Sequence, residues 1–145
     1  MRTIIFRGKH LCGQWYYGNL IVRETDSPVL ETPQAYRCVM IGDVDDGSAE
    51  EVVEETVGQF TGFLDADGKE IYEGDILHVP EDTFNSEMLY VVEWNNDGFI
   101  ARSVRSSTSS VLSWALKKDH AMKHYVRQVK VIGNIHDNPE LLKGE

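Results

Sequence analysis

Residues 65–77, "DADGKEIYEGDIL", crowd five carboxylates (Asp65, Asp67, Glu70, Glu73 and Asp75) around one lysine, Lys69. Such a stretch suits calcium ligation, general acid/base catalysis or turn-building. An EF-hand loop needs side-chain oxygens at its positions 1, 3 and 5, glycine at 6 and a carboxylate at 12. Counted from Asp65, those last three requirements fall on Lys69, Glu70 and Ile76, and all fail. General acid/base work needs a carboxyl whose pKa has been raised by burial. On a continuous strand Glu73 and Asp75 would share one face and Glu70 the other, and no local pattern marks any of them as buried. The turn reading remains. Asp67-Gly68 signals a hairpin with a type I′ turn, which needs positive φ at both central positions. Gly74-Asp75 reads as a second turn, with the Asp75 carboxylate accepting from nearby backbone N–H groups. The other acids are expected to form the wet side of the stretch.

His120 and His124 stand i, i+4 on a predicted helix, and so on one face. Zinc would need further ligands, to be recruited from His136, His10 or Asp119. No glutamate follows His120, so HExxH is absent. The pair is expected to face solvent beside Lys117, Lys118 and Lys123, with no metal and no cofactor. There is no GxSxG, P-loop or GxGxxG. Cys12 and Cys38 read as free thiols of a reducing compartment. Trp15, Tyr16, Tyr17, Trp94 and Trp114 read as core or as an interaction surface in preference to a base-stacking platform.

The elements that must position these residues are mostly strands. "TIIF" (3–6), "YRCVMIG" (36–42), "MLYVVEW" (88–94), "FIARSV" (99–104) and "RQVKVIGNI" (127–135) have β-branched, aromatic or alternating patterns. "GQWYYGNL" suits a strand with a tight turn or bulge at Gly18, continued by "LIVRE". Residues 25–34, with two prolines, read as a loop, and 105–110 as a polar loop. "NNDG" (95–98) makes 88–104 a hairpin. The acidic run 43–55 is either a flexible connection or one helical turn begun by the capping-box spacing of Ser48 and Glu51. Residues 111–125 are the best helical candidate, and a further turn of helix follows Pro139.

The expected fold is mainly β, with a β-rich α+β fold as the variant. A small SH3-like or curled antiparallel barrel would occupy the C-terminal two-thirds, with an N-terminal β extension and one short late helix. The chain reads as one domain, 1–145. Its natural subdivision is an N-terminal β part, 1–47, and a barrel-like part, 56–145, joined by the acidic connection 43–55.

Net charge is −10 and unevenly spread. Residues 43–97 hold 17 acids against one base, whereas residues 98–145 hold eight bases against four acids. Nonspecific nucleic-acid binding needs a basic surface that releases phosphate counterions, so direct binding is not expected. No apolar run is long enough to cross a bilayer. "MRTIIFRGKH" has no signal-peptide h-region or cleavage site, so a cytoplasmic protein is expected.

Three blocks carry a resemblance: "WYYGNL" near the start, "ETVGQFTGFLDADGKEIYEGDIL" in the middle and "VIGNIHDNPELL" at the end. In that order they resemble the signature blocks of YopX-type proteins of bacteriophages and prophages, across residues 15–142. The resemblance implies a phage or prophage origin and a bacterial cytoplasm, and it implies no catalytic residue. The expectation is a non-enzymatic module that binds itself, as a homo-oligomer, or a host or phage protein. An acidic DNA mimic or nucleic-acid accessory protein is the first alternative, and a small metal-dependent enzyme the second.

Overall fold

The computed structural model describes residues 3–26, 35–43, 46–79, 88–104, 109–111 and 129–143. The fold is mainly β. Its described strands pair antiparallel in two sheets, neither closed on itself. Two compact units form, Met1–Gln59 and Phe60–Glu145.

The first unit contains β1 (Phe6–Lys9), β2 (Trp15–Asp26), β3 (Ala35–Gly42), β4 (Glu50–Glu51), a 3-10 helix (Glu54–Thr56) and the start of β5 (Gly58–Leu64). Its strand order is β4-β3-β2-β1-β5. Alternation puts Tyr16 and Leu20 of β2 on the same side as Val39 and Ile41 of β3. Val52, Phe6 and Val57 complete this core. Gly8 lets Val52 approach: a Cβ there would stand 2.6 Å from Val52 Cγ2.

Several expectations shift here. The first strand begins at Phe6, not residue 3, because its register is set by the pairs Phe6↔Gly18 through Lys9↔Trp15. β2 runs through Gly18 without a turn. Gly18 is where β2 changes partner, β1 pairing up to it and β3 from Asn19 onward. β2 reaches Asp26, so strand takes the first two residues of the expected 25–34 loop, and β3 starts just after it at Ala35. Ser48 caps no helix, since its N–H donates to the Asp46 carboxylate at 2.8 Å. Glu50 and Glu51 pair with Ile41 and Met40, which carries Val52 into the core, and the helical turn follows at 54–56.

The second unit continues β5 and adds β6 (Glu70–Tyr72), β7 (Asp75–Val79), β8 (Met88–Asn95), β9 (Gly98–Ser103), β10 (Ser109–Val111), β11 (Lys130–Asn134) and a 3-10 helix (Pro139–Leu142). β5 pairs with β6. The others form an open sheet of order β10-β9-β8-β7-β11. The core is Ile71, Leu77, Val79, Val92, Ala101 and Val129, flanked by Phe63, Tyr90, Phe99 and Val131. β7 is an interior strand, between β8 and β11, and its consecutive Ile76 and Leu77 are both buried although they point to opposite faces. β10 includes the last two serines of the expected 105–110 loop, paired with Arg102 and Ala101. Most of the expected 111–125 helix lies outside the described residues.

Candidate functional site

The acidic stretch that opened the chemistry connects β5, β6 and β7, and its local geometry differs from the sequence expectation in two ways. The β5–β6 turn is closed by the Gly68 N–H donating to the Asp65 carbonyl at 3.1 Å. Its central residues are therefore Ala66 and Asp67, one position earlier than a type I′ turn centred on Asp67-Gly68. Gly68, at φ 83°, takes the left-handed position that follows such a turn in a three-residue hairpin loop. The cause is Asp65. Its Oδ1 accepts the N–H groups of Asp67 at 2.9 Å and Lys69 at 2.8 Å, fixing the turn from its first residue.

Asp65 is also buried, contrary to its expected place on the wet side. Its Oδ2 accepts the Val131 N–H of β11 at 3.1 Å, and next to it the Ala66 N–H donates to the Val129 carbonyl at 2.9 Å. One carboxylate thus organises its own turn and ties it to a strand 66 residues away. Burial pushes the Asp65 carboxyl up. The hydrogen bonds from Val131, Lys69 and Asp67, with the nearby Lys69 ammonium, outweigh it and hold the group below the usual carboxylate range. A general acid needs the opposite shift.

The second turn lies between β6 and β7. Glu73-Gly74 interrupts the strand, so Glu70, Glu73 and Asp75 do not share one strand's alternation. Asp75, 1% exposed, accepts the Tyr72 N–H on Oδ2 at 2.7 Å. Gly74, at φ 91°, donates its N–H to the Val92 carbonyl at 2.8 Å and accepts the Ile135 N–H at 2.9 Å. The turn is thereby joined to β8 and to the end of β11. Asp67 and Glu70 are exposed; Asp67 lies 3.7 Å from Lys130 Nζ, and Glu70 accepts the Tyr72 hydroxyl at 2.8 Å.

The chain after β11 is similarly self-bound. Asn134 Oδ1 accepts the N–H groups of His136 at 3.0 Å and Asp137 at 2.9 Å, and the Asn134 carbonyl accepts the Asn138 N–H at 2.9 Å. Pro139 then starts the 3-10 helix. The sequence marked Asp75 as a backbone acceptor but passed over Asp65. Its signal was present: an aspartate two residues before another at a glycine turn is the start of an Asx-type turn.

Among the described residues no group of three His, Cys, Asp or Glu side chains could hold a metal ion. His120, His124 and Asp119 lie outside the described residues, as does Trp114. A groove of about 300 Å³ lies between His10 and Leu11, on the β1–β2 turn, and segment 51–55. His10 Nδ1 accepts the Cys12 N–H at 3.0 Å, so a neutral ring carries its proton on Nε2. Glu54, across the groove, is engaged by Arg37, which also bridges to Glu24.

The aromatic residues divide. Tyr16 packs on the first core. Trp15 faces the Arg7 guanidinium at 4.9 Å from its ring centre, with Lys9 Nζ at 6.0 Å. Tyr17 is 56% exposed and Trp94 55% exposed. Trp94 meets Phe99 edge-to-face at 4.9 Å, next to the hairpin tip.

A family model described as "YopX protein" matches residues 6–143. No curated protein matches the chain significantly. Among solved structures, the crystal structure of protein EF1440 from Enterococcus faecalis is similar, at 23% identity and a TM-score of 0.55. That match covers 99% of this chain and 100% of that one, and at such identity the likeness is one of fold.

Proposed function

The chain belongs to the YopX protein family, and from that premise we propose that it is a non-enzymatic module that binds another protein or a second copy of itself. The carrying observation is Trp94, a large aromatic left more than half exposed at the end of a hairpin, with Phe99 holding its ring. Exposed tryptophans of this kind are favoured anchors of protein interfaces. The two buried carboxylates that come nearest to catalytic candidates serve backbone N–H groups instead, which supports the same reading. On this reading the second unit works as an SH3-like binding module. The protein acts in the cytoplasm of a bacterium that carries it on a phage or prophage.

Trp94→Ser is expected to abolish self-association in light scattering, or retention of a partner from host lysate, with unfolding unchanged. A wild-type chain that stays monomeric and retains no protein would overturn the proposal. The segregation of acids into 43–97 and bases into 98–145 would steer such an encounter. Association should therefore weaken with salt, and a salt-insensitive state would remove the charge-pairing part. A second reading, acidic DNA mimicry, is favoured by Glu50, Glu51, Glu54 and Glu55, all exposed at and beside β4. It predicts capture of a host DNA-binding protein, and fails if none is recovered.

A further inference from the structure

Three Asp–Gly pairs occur in the chain, Asp46-Gly47, Asp67-Gly68 and Asp97-Gly98. Glycine offers no side chain to hinder its amide nitrogen from reaching the preceding aspartate's carboxyl carbon, so each is chemically disposed to form a cyclic imide. We propose that Asp97 is the modification site among them, isomerising to isoaspartate at the tip of the β8–β9 hairpin.

The surroundings discriminate between the three. At Asp46 the carboxylate accepts the Ser48 N–H at 2.8 Å. Bonds from the Ser48 hydroxyl and N–H also hold it below the usual range, away from the protonated form that cyclises. The attacking nitrogen is engaged at both hairpin turns, the Gly68 N–H by the Asp65 carbonyl and Gly98 by its ladder pairing with Asn95, so it does not separate them. The Asp67 N–H is fixed by Asp65, and its carboxylate faces Lys130 at 3.7 Å. What separates Asp97 is its side chain, although its own backbone N–H is held by Asn95 Oδ1 at 2.9 Å. Its carboxylate has no hydrogen bond or ion pair among the described residues. Nothing lies within 4 Å of the space that a Cβ would fill beside Gly47, Gly68 or Gly98, so the freedom of the carboxylate decides between them.

The Gly98 nitrogen attacks Cγ of protonated Asp97. The new N–Cγ bond forms as the amide proton and the carboxyl's hydroxyl group leave together as water. Water then adds at the α-carbonyl and breaks its bond to that nitrogen, leaving the main chain linked through Cγ. The net mass is unchanged. The β-linkage adds a methylene to a two-residue connection that closes on Asn95↔Gly98 and Trp94↔Phe99. Those pairs cannot both keep their register. The loss of the Trp94 surface that follows rests on the proposed function; the isomerisation does not.

The full chain is incubated at neutral pH and 37 °C for weeks. It is then labelled with an isoaspartyl methyltransferase and a radioactive methyl donor, and digested. The label is expected chiefly on the peptide holding 97–98, and lost in Asp97→Glu, whose longer side chain does not form the five-membered ring. An unlabelled 97–98 peptide, or equal labelling at 46–47 or 67–68, would overturn the assignment. Hydrogen exchange on the aged fraction should show lost protection in β8 and β9, and full protection there would overturn the register consequence. A wild-type chain that binds no protein would sink the proposed function and leave the labelling result standing.

Discussion

At Asp75 one carboxylate oxygen, 2.7 Å from the Tyr72 N–H, closes the β6–β7 turn inside the protein. Removing it leaves a buried donor without that acceptor, which costs about 1–3 kcal/mol. Asp75→Ala should therefore lower the urea midpoint of unfolding, and an unchanged midpoint would show that the turn holds without this bond. Asp65 makes a pH-dependent claim. Its folded pKa lies below its unfolded value, so its contribution is present above the ordinary carboxylate range and is lost as pH falls through the folded pKa. The stability gap between the wild type and Asp65→Asn should be widest near neutrality and narrow in acid. A gap constant with pH would mean that the charged form gains nothing from its three N–H donors. The sequence separated these two residues only partly. Asp75 stands beside a glycine in its own turn, whereas the burial of Asp65 comes from β11.

Among the elements, the connection after β11 gives the sharpest test. A Cβ on Gly133 would stand 2.4 Å from Asn138 Oδ1. Asn138 cannot swing away freely, because the same oxygen accepts the Asn134 N–H at 3.2 Å. Gly133→Ala should destabilise by about 1–3 kcal/mol, the usual cost of overpacking. Adding Asn138→Gly should recover part of it, as expected for residues in contact. Strictly additive losses in denaturant titrations would show that the clash is not the cause. The hairpin 88–104 was readable because its alternation and its turn lie in one short segment. The shifts elsewhere share one cause: β1, β2 and β4 take their ends from register with distant strands, which local pattern does not encode.

At the scale of the whole chain, each unit has its own core, Val39, Ile41 and Val52 in the first and the Ile71–Leu77–Val92 group in the second. Ile41→Ala should cost about 2–5 kcal/mol by cavity formation. It should raise hydrogen exchange in residues 1–59 more than in 60–145, and an equal rise in both would mean that the chain unfolds as one cooperative body. The sequence by itself determined the β class, the turn of the 88–104 hairpin, the turn of helix after Pro139 and the family, because alternation, glycine and proline placement and short motifs are local properties. Only the tertiary structure decided which carboxylates are buried and what they hold. The donor that completes Asp65 is the Val131 N–H, 66 residues away. The partners of Gly74 are Val92 and Ile135. Burial is a relation between segments distant in the chain, so the acidic stretch 65–77 reads as a wet surface until β8 and β11 are in place around it.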